Sequence, residues 1–374
     1  MSNLTYTPST DPAPRRKRSM LFMLIPTLIL AGFLVFLIFD GNQAKSAKSP
    51  EIPTPQADAS PIESLLFTQL PDVLEVHGSE NWVLDDIQFS DDKTQALLWM
   101  AEKDPETGDI LASEPIIILA VYESEVSTWA LHIQTDLDFG KIINESKFQD
   151  TELAERFPAT ESKATTTGKT YGGYLLPWKK GLTKRLTWSV SHTSCAPGYC
   201  YYAFDFADGT MFDLLAAKGG YVYHWKDSCR NGDSSCTNSI TIEDRSTTPW
   251  TYQLYLHIAQ NSVPKALRQV GTPVLQGQKI ANVDDTGYST GHHVHFMVVE
   301  QQTLLYTPCR NYCWGKAVDI TFLDVDINYD PVTKGGRPRL VEEAREYGGT
   351  GRTNYTSGNT FKAGPYKLTI LFMK

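Results

Sequence analysis

"GYSTGHHVHFMVVE", residues Gly287 to Glu300, holds His292, His293 and His295, three of the chain's eight histidines, and then runs into apolar residues. The run reads as a strand that opens on a Gly/Ser/Thr turn. Side chains alternate faces along a strand with a period of two. His293 and His295 therefore share one face, while His292 and Val294 point to the other. An H-x-H pair on a strand offers two imidazoles to one site, which leaves His292 as a neighbour.

Working outward, residues 175–325 carry a series of short strand patterns broken by Gly, Asp and Asn. They include "RLTWSVS", "YYAFDFA", "GGYVYHW", "NSITIED", "WTYQLYLHI" and "AVDITFLDV". Only "VPKALRQV" reads as a short helix. The chain is thus expected to be mainly β, with an antiparallel sandwich or barrel-like domain here. Asp205 lies in "FDF", inside an apolar strand, where a core-facing carboxylate is costly unless it is paired or bound to a cation. His257 closes one strand and His192 follows another. With His293 and His295, this gives four histidines and one aspartate able to converge on one cleft. A catalytic zinc site needs three N/O protein ligands and one open position. Five candidates leave two for acid–base work. His224, in "VYHW", reads as a surface strand position, and His77 and His132 as isolated histidines. Asp284 or Asp285, in the turn "NVDDTG", is placed to orient an imidazole from behind.

The rest of the chain sets the compartment. Net charge is −9 over 374 residues, without the basic stripe of a nucleic-acid binder. Residues 20–39 form an apolar run long enough to span a bilayer, preceded by Arg15, Arg16, Lys17 and Arg18. The positive-inside bias keeps the basic tail 1–19 in the cytoplasm and sends the remainder out. The expected location is the cell membrane with a single pass, and a cleaved signal peptide with secretion is the alternative. The six cysteines fall into three close pairs, Cys195/Cys200, Cys229/Cys236 and Cys309/Cys313, which suits three short-loop disulfides outside the cytoplasm. A Pro/Ser/Ala-rich linker covers 40–61. A small α+β domain of unknown role is expected over 62–155, with one amphipathic helix, four strands and a hairpin turn at "DPETGD". A second linker follows at 156–174. The C-terminal extension 326–374 ends in one more strand pattern, "YKLTILFMK". The alternation Asp324, Asp326, Asn328, Asp330 lacks the glycine and glutamate of an EF-type loop, and reads as a solvated acidic loop.

The order strand–His192, "FDFADGT", "YLHI", then "VGTPVLQGQKIANVDDTGYSTGHHVHF" resembles the lysostaphin-type (LytM-like) zinc endopeptidases over roughly residues 175–300. The resemblance implies that His192, Asp205 and His295 hold Zn2+, with His257 and His293 as an unligated catalytic pair, one the base and one the oxyanion donor. It implies peptidoglycan peptides as substrate. The spacing departs from the family pattern: His192 and Asp205 are thirteen positions apart, and a loop "CAPGYC" closed by Cys195 and Cys200 accounts for the excess. His224 is the fallback ligand. A non-catalytic relative that binds wall peptide or regulates another hydrolase is the alternative reading.

Overall fold

The computed structural model describes residues 61–66, 68–69, 82–104, 107–149, 151–159, 164–189, 192–325, 327 and 354–361. The basic tail, the apolar run 20–39, His77, Asp326, Asn328, Asp330 and "YKLTILFMK" lie outside them. Among the described residues, no helix is long and apolar enough to cross a membrane.

The first strands are β1 (Trp82–Phe89), β2 (Gln95–Glu102), β3 (Ile116–Glu123) and β4 (Thr128–Ile133). They form an antiparallel meander in the order β1-β2-β3-β4. β2 and β3 are buried on both sides, as their near-continuous apolar sequences require. Ala96, Leu98, Met100, Ile116 and Ile118 face a cluster that includes Ile62 and Leu66 of the preceding helical residues. Leu97, Trp99, Ile117 and Leu119 face the other way. The turn between β2 and β3 is tight at Gly108, whose φ of 76° suits a residue without Cβ. Lys103 then bridges Ile110, after which residues 111–115 leave the sheet before β3 begins. Two short helices follow, α1 (Phe139–Glu145) and α2 (Glu152–Arg156).

The second half begins with β5 (Tyr171–Tyr174), β6 (Thr183–Trp188), β7 (Phe204–Ala207) and β8 (Asp213–Leu215). Then come β9 (Gly220–Lys226), β10 (Ser239–Asp244), β11 (Thr251–Leu256), β12 (Pro273–Val274) and β13 (Lys279–Asn282). β14 (His293–Glu300), β15 (Ile320–Phe322) and β16 (Asn354–Thr356) complete it. Eight of these strands make one sheet, ordered β12-β9-β10-β11-β14-β7-β6-β16, with every pair antiparallel. β13 pairs with β8, and β15 runs parallel to β5. In place of the expected helix at "VPKALRQV" there is a single 3-10 turn, Lys265–Leu267, behind Pro264.

The large sheet buries both faces. Phe204, Phe206, Val294, Phe296 and Val298 pack into a core with Tyr174 and Trp178. The opposite face carries Leu254, Leu256, Met297 and Val299, which meet Leu97, Trp99, Ile117 and Leu119 of the small sheet in one cluster. Each such side chain, fully buried, contributes about 1.5–3 kcal/mol. That shared face is the one from which Asp205, His293 and His295 project, so the small sheet roofs the histidines.

All three cysteine pairs are joined: Cys195–Cys200, Cys229–Cys236 and Cys309–Cys313. Asp324 accepts backbone N–H bonds from Leu176 at 3.1 Å and Gly358 at 2.8 Å, a structural use that ties residues 354–361 to the sheet.

Candidate metal centre

The β7–β14 ladder places Asp205 opposite His295 and Ala207 opposite His293. β11 lies on the other side of β14, with Leu256 opposite His295. His257 comes immediately after β11 in the left-handed region, φ 61°, and this turns the chain towards the same face. His192 follows β6, and its ring stacks on Trp188 with centroids 4.3 Å apart. The loop after it is closed by Cys195–Cys200, and Ala196 N–H donates to Arg156 O at 3.4 Å. Asp205, His257, His293 and His295 have no exposed surface, and His192 is 4 % exposed.

Three of the five candidates converge with their ligand atoms. His192 Nε2 is 3.5 Å from Asp205 Oδ2, and His295 Nδ1 is 3.1 Å from Asp205 Oδ1. A tetrahedral zinc with bonds of about 2.0–2.1 Å separates neighbouring ligand atoms by about 3.3 Å. These separations and this N/O donor set suit zinc. Electrostatics agree that the site is made for a cation. Burial lowers the His295 imidazole, yet the Glu114 and Asp205 carboxylates lift it to about 9. Burial raises Asp205, but the surrounding imidazoles of His192, His293 and His295 hold it below the usual carboxylate range.

His257 and His293 stand beside this group with their other nitrogens pinned. His257 Nδ1 is 2.6 Å from Thr286 O, and His293 Nδ1 is 2.9 Å from Gly291 O. A carbonyl partner fixes a proton on each Nδ1; Nε2 of His257 faces a carboxylate oxygen of Glu114 at 3.2 Å, whereas Nε2 of His293 makes no hydrogen bond. His293 Nε2 is 3.7 Å from Asp205 Oδ2, and the two rings lie 4.5 Å apart. Burial outweighs the nearby Asp205 carboxylate and pushes His293 down to about 3, so its ring is neutral. His292 points away from the site, with Nδ1 3.1 Å from Asp284 Oδ1. The imidazole that Asp284 orients is thus His292, not a member of the cluster. His224 Nε2 is 3.0 Å from Asn311 O, and His132 sits in β4 opposite Leu119; neither reaches the site.

The sequence reading missed a fourth ligand-type side chain. Glu114, two residues before β3, has Oε2 3.2 Å from both His192 Nε2 and His295 Nδ1, and Oε1 3.2 Å from His257 Nε2. It also pairs with Arg156 and accepts from Ser194 Oγ. Burial raises its carboxyl, but Arg156, His295 and the bonds to His192 and His257 hold it well below the usual range. Glu114, His192, Asp205 and His295 form one group whose ligand atoms all lie within 4.8 Å of one another. The only sequence signal for Glu114 is a charged residue set against the apolar run "IIILAV".

Residues 201–306 match the model of peptidase family M23. The segment belongs to that family. Asp205, His257, His293 and His295 lie inside the M23 segment, while His192 and Glu114 lie before it. No curated protein matches the chain. Among solved structures, one similar chain is from the SpoIIQ–SpoIIIAH pore-forming complex, at 23% identity and TM-score 0.21, covering 26% of this chain and 57% of that one. Another is the catalytic domain of a mutant form of the prophage-encoded M23 protein EnpA from Enterococcus faecalis, at 21% identity and TM-score 0.25, covering 33% and 86%. A third is the catalytic domain of the antimicrobial peptidase lysostaphin from Staphylococcus simulans, at 18% identity and TM-score 0.23, covering 37% and 88%. The chain thus spans little more than half of the first of these. Scores of this size carry no argument about the present fold, and the M23 assignment rests on the family model.

Proposed function

We propose that this protein is a zinc-dependent endopeptidase of the bacterial cell envelope that hydrolyses peptide bonds in peptidoglycan. The observation that carries the reading is the meeting of His192 Nε2, Asp205 and His295 Nδ1, with His257 and His293 held beside them. His192, Asp205 and His295 hold the metal. Zinc bound there supplies Lewis acidity towards the scissile carbonyl and towards the attacking water.

The remaining chemistry belongs to the two other histidines. Each has its Nδ1 proton committed to a backbone carbonyl, which leaves Nε2 as the atom that meets the reacting groups. One of them takes the proton from water and passes it to the leaving amine; the other donates a hydrogen bond to the developing oxyanion. Their burial excludes bulk water and keeps His293 in the basic, neutral form. The apolar run 20–39 as a single membrane pass, or as a secretory signal, and the three disulfides support a location outside the cytoplasm, where peptidoglycan lies.

Zinc analysis of the purified full chain tests the reading. One zinc per chain and chelator-sensitive release of peptides from isolated cell walls are expected, and a chain that takes up no zinc would overturn it.

A further inference from the structure

His292, which points away from the zinc group, meets the two aspartates of the turn that precedes it. Its Nδ1 lies 3.1 Å from Asp284 Oδ1 and 3.9 Å from Asp285 Oδ1. One ligand atom from each of these three side chains falls within 4.8 Å of the others. Asp284 is 1 % exposed, and neither of its carboxylate oxygens receives a well-directed hydrogen bond. A buried carboxylate in that state is costly unless a cation meets it. His292 and Asp285 keep 30 % and 28 % of their side chains exposed, so the cluster opens to solvent on one side.

A simple ion pair accounts poorly for this arrangement. One imidazolium beside two carboxylates leaves a net negative charge, and the 3.1 Å approach to Asp284 lacks the direction of a hydrogen bond. A divalent cation with a neutral imidazole balances both carboxylates. Two ligand atoms about 2.2 Å from one ion lie about 3.1 Å apart at an octahedral right angle. The separation between His292 Nδ1 and Asp284 Oδ1 has that value, and a small turn of the partly exposed Asp285 side chain brings its oxygen to the same distance. Two carboxylates, one imidazole and water from the open side suit a six-coordinate ion of the Mn2+ class. Carboxylate and water favour such an ion, and the imidazole disfavours Mg2+ and Ca2+.

We propose that Asp284, Asp285 and His292 form a second, exchangeable site for a divalent cation of the Mn2+ class, separate from the zinc group. The inference does not depend on the hydrolase reading, because none of the three side chains belongs to that group. The turn that carries the site also serves the two free histidines. Asp284 N–H donates to His257 O at 2.7 Å, and Asp284 bridges His293. Thr286 O, one residue further on, holds His257 Nδ1 at 2.6 Å. A cation on Asp284 and Asp285 therefore braces the backbone that sets the His257 ring.

The test titrates the zinc-loaded full chain with MnCl2, reading free Mn2+ by electron paramagnetic resonance and bound zinc by metal analysis. The unsubstituted chain is expected to take up one Mn2+ without losing zinc, and its thermal unfolding is expected to move to higher temperature as Mn2+ is added. Asp285→Asn and His292→Gln, both at partly exposed positions, are each expected to weaken Mn2+ uptake at least tenfold and to abolish the thermal shift, with zinc content unchanged. Either variant alone decides the matter if the other fails to fold. Absence of saturable uptake by the unsubstituted chain overturns the site. So does uptake of equal affinity in all three chains, which places the ion elsewhere, or release of zinc in step with Mn2+ uptake, which places it in the zinc group.

Discussion

Asp205 and His295 face each other across the β7–β14 ladder, with His295 Nδ1 3.1 Å from Asp205 Oδ1. Two neighbouring strands thus deliver a carboxylate and an imidazole to one point, and His293, two residues before His295, projects from the same face without joining them. Ligand and catalyst therefore separate on substitution. His295→Ala is expected to lose both zinc and activity. His293→Ala is expected to retain one zinc per chain while hydrolysis falls about 10²–10⁴-fold. Metal analysis and hydrolysis assays of the two purified variants check this. Equal zinc retention in both would reverse the assignment.

The Cys195–Cys200 bridge closes the loop behind His192, and both cysteines are buried near Arg156. Replacing both with serine is expected to cost about 2 kcal/mol from loop entropy alone. It should also weaken zinc binding, because the chain that carries His192 is no longer closed just beyond it. Competition titration with a zinc chelator and thermal unfolding report the two effects separately.

Gly287 has φ 81°, and a Cβ placed on it would lie 2.0 Å from Thr237 Oγ1. Gly287→Ala is therefore expected to destabilise the chain by about 1–3 kcal/mol, and to disturb Thr286, whose carbonyl holds His257. Urea unfolding measures the first. A lower hydrolysis rate at unchanged zinc content reports the second.

Glu300, at the end of β14, accepts hydrogen bonds from Thr167 N–H at 2.7 Å and Tyr171 OH at 2.7 Å, and from Gln302 Nε2 at 2.5 Å. Burial raises its carboxyl, and these bonds more than offset that, holding it below the ordinary value. A carboxylate lowered by folding stabilises the fold above its unfolded pKa and loses that contribution as pH falls through the folded value. Glu300→Gln is expected to cost about 1–3 kcal/mol at pH 7 and progressively less below about pH 4. Chemical unfolding of both chains across that pH range reads the difference.

Much of this was legible in the sequence because period-two alternation is a local property. It separates His293 and His295 from His292 and marks Asp205 as a charge between two core phenylalanines. β5, β8, β12, β13 and β16 were not foreseen. They are two to four residues long, too short for alternation to stand out, and exist because neighbours supply their partners. The helical pattern of "VPKALRQV" yielded to a 3-10 turn because no apolar face opposes more than Val263 and Leu267. Glu114 was illegible for a different reason. Its role comes from long-range contacts, 42 residues away to Arg156 and 78 to His192, and no local spacing encodes such a meeting.

The most direct measurement is anomalous diffraction at the zinc edge from crystals of the zinc-loaded full chain. The account predicts one peak about 2.0–2.2 Å from His192 Nε2, an Asp205 oxygen and His295 Nδ1, with His257 and His293 outside bonding distance. A peak ligated by His257 or His293 in place of His192, or no peak in the cleft, would contradict it.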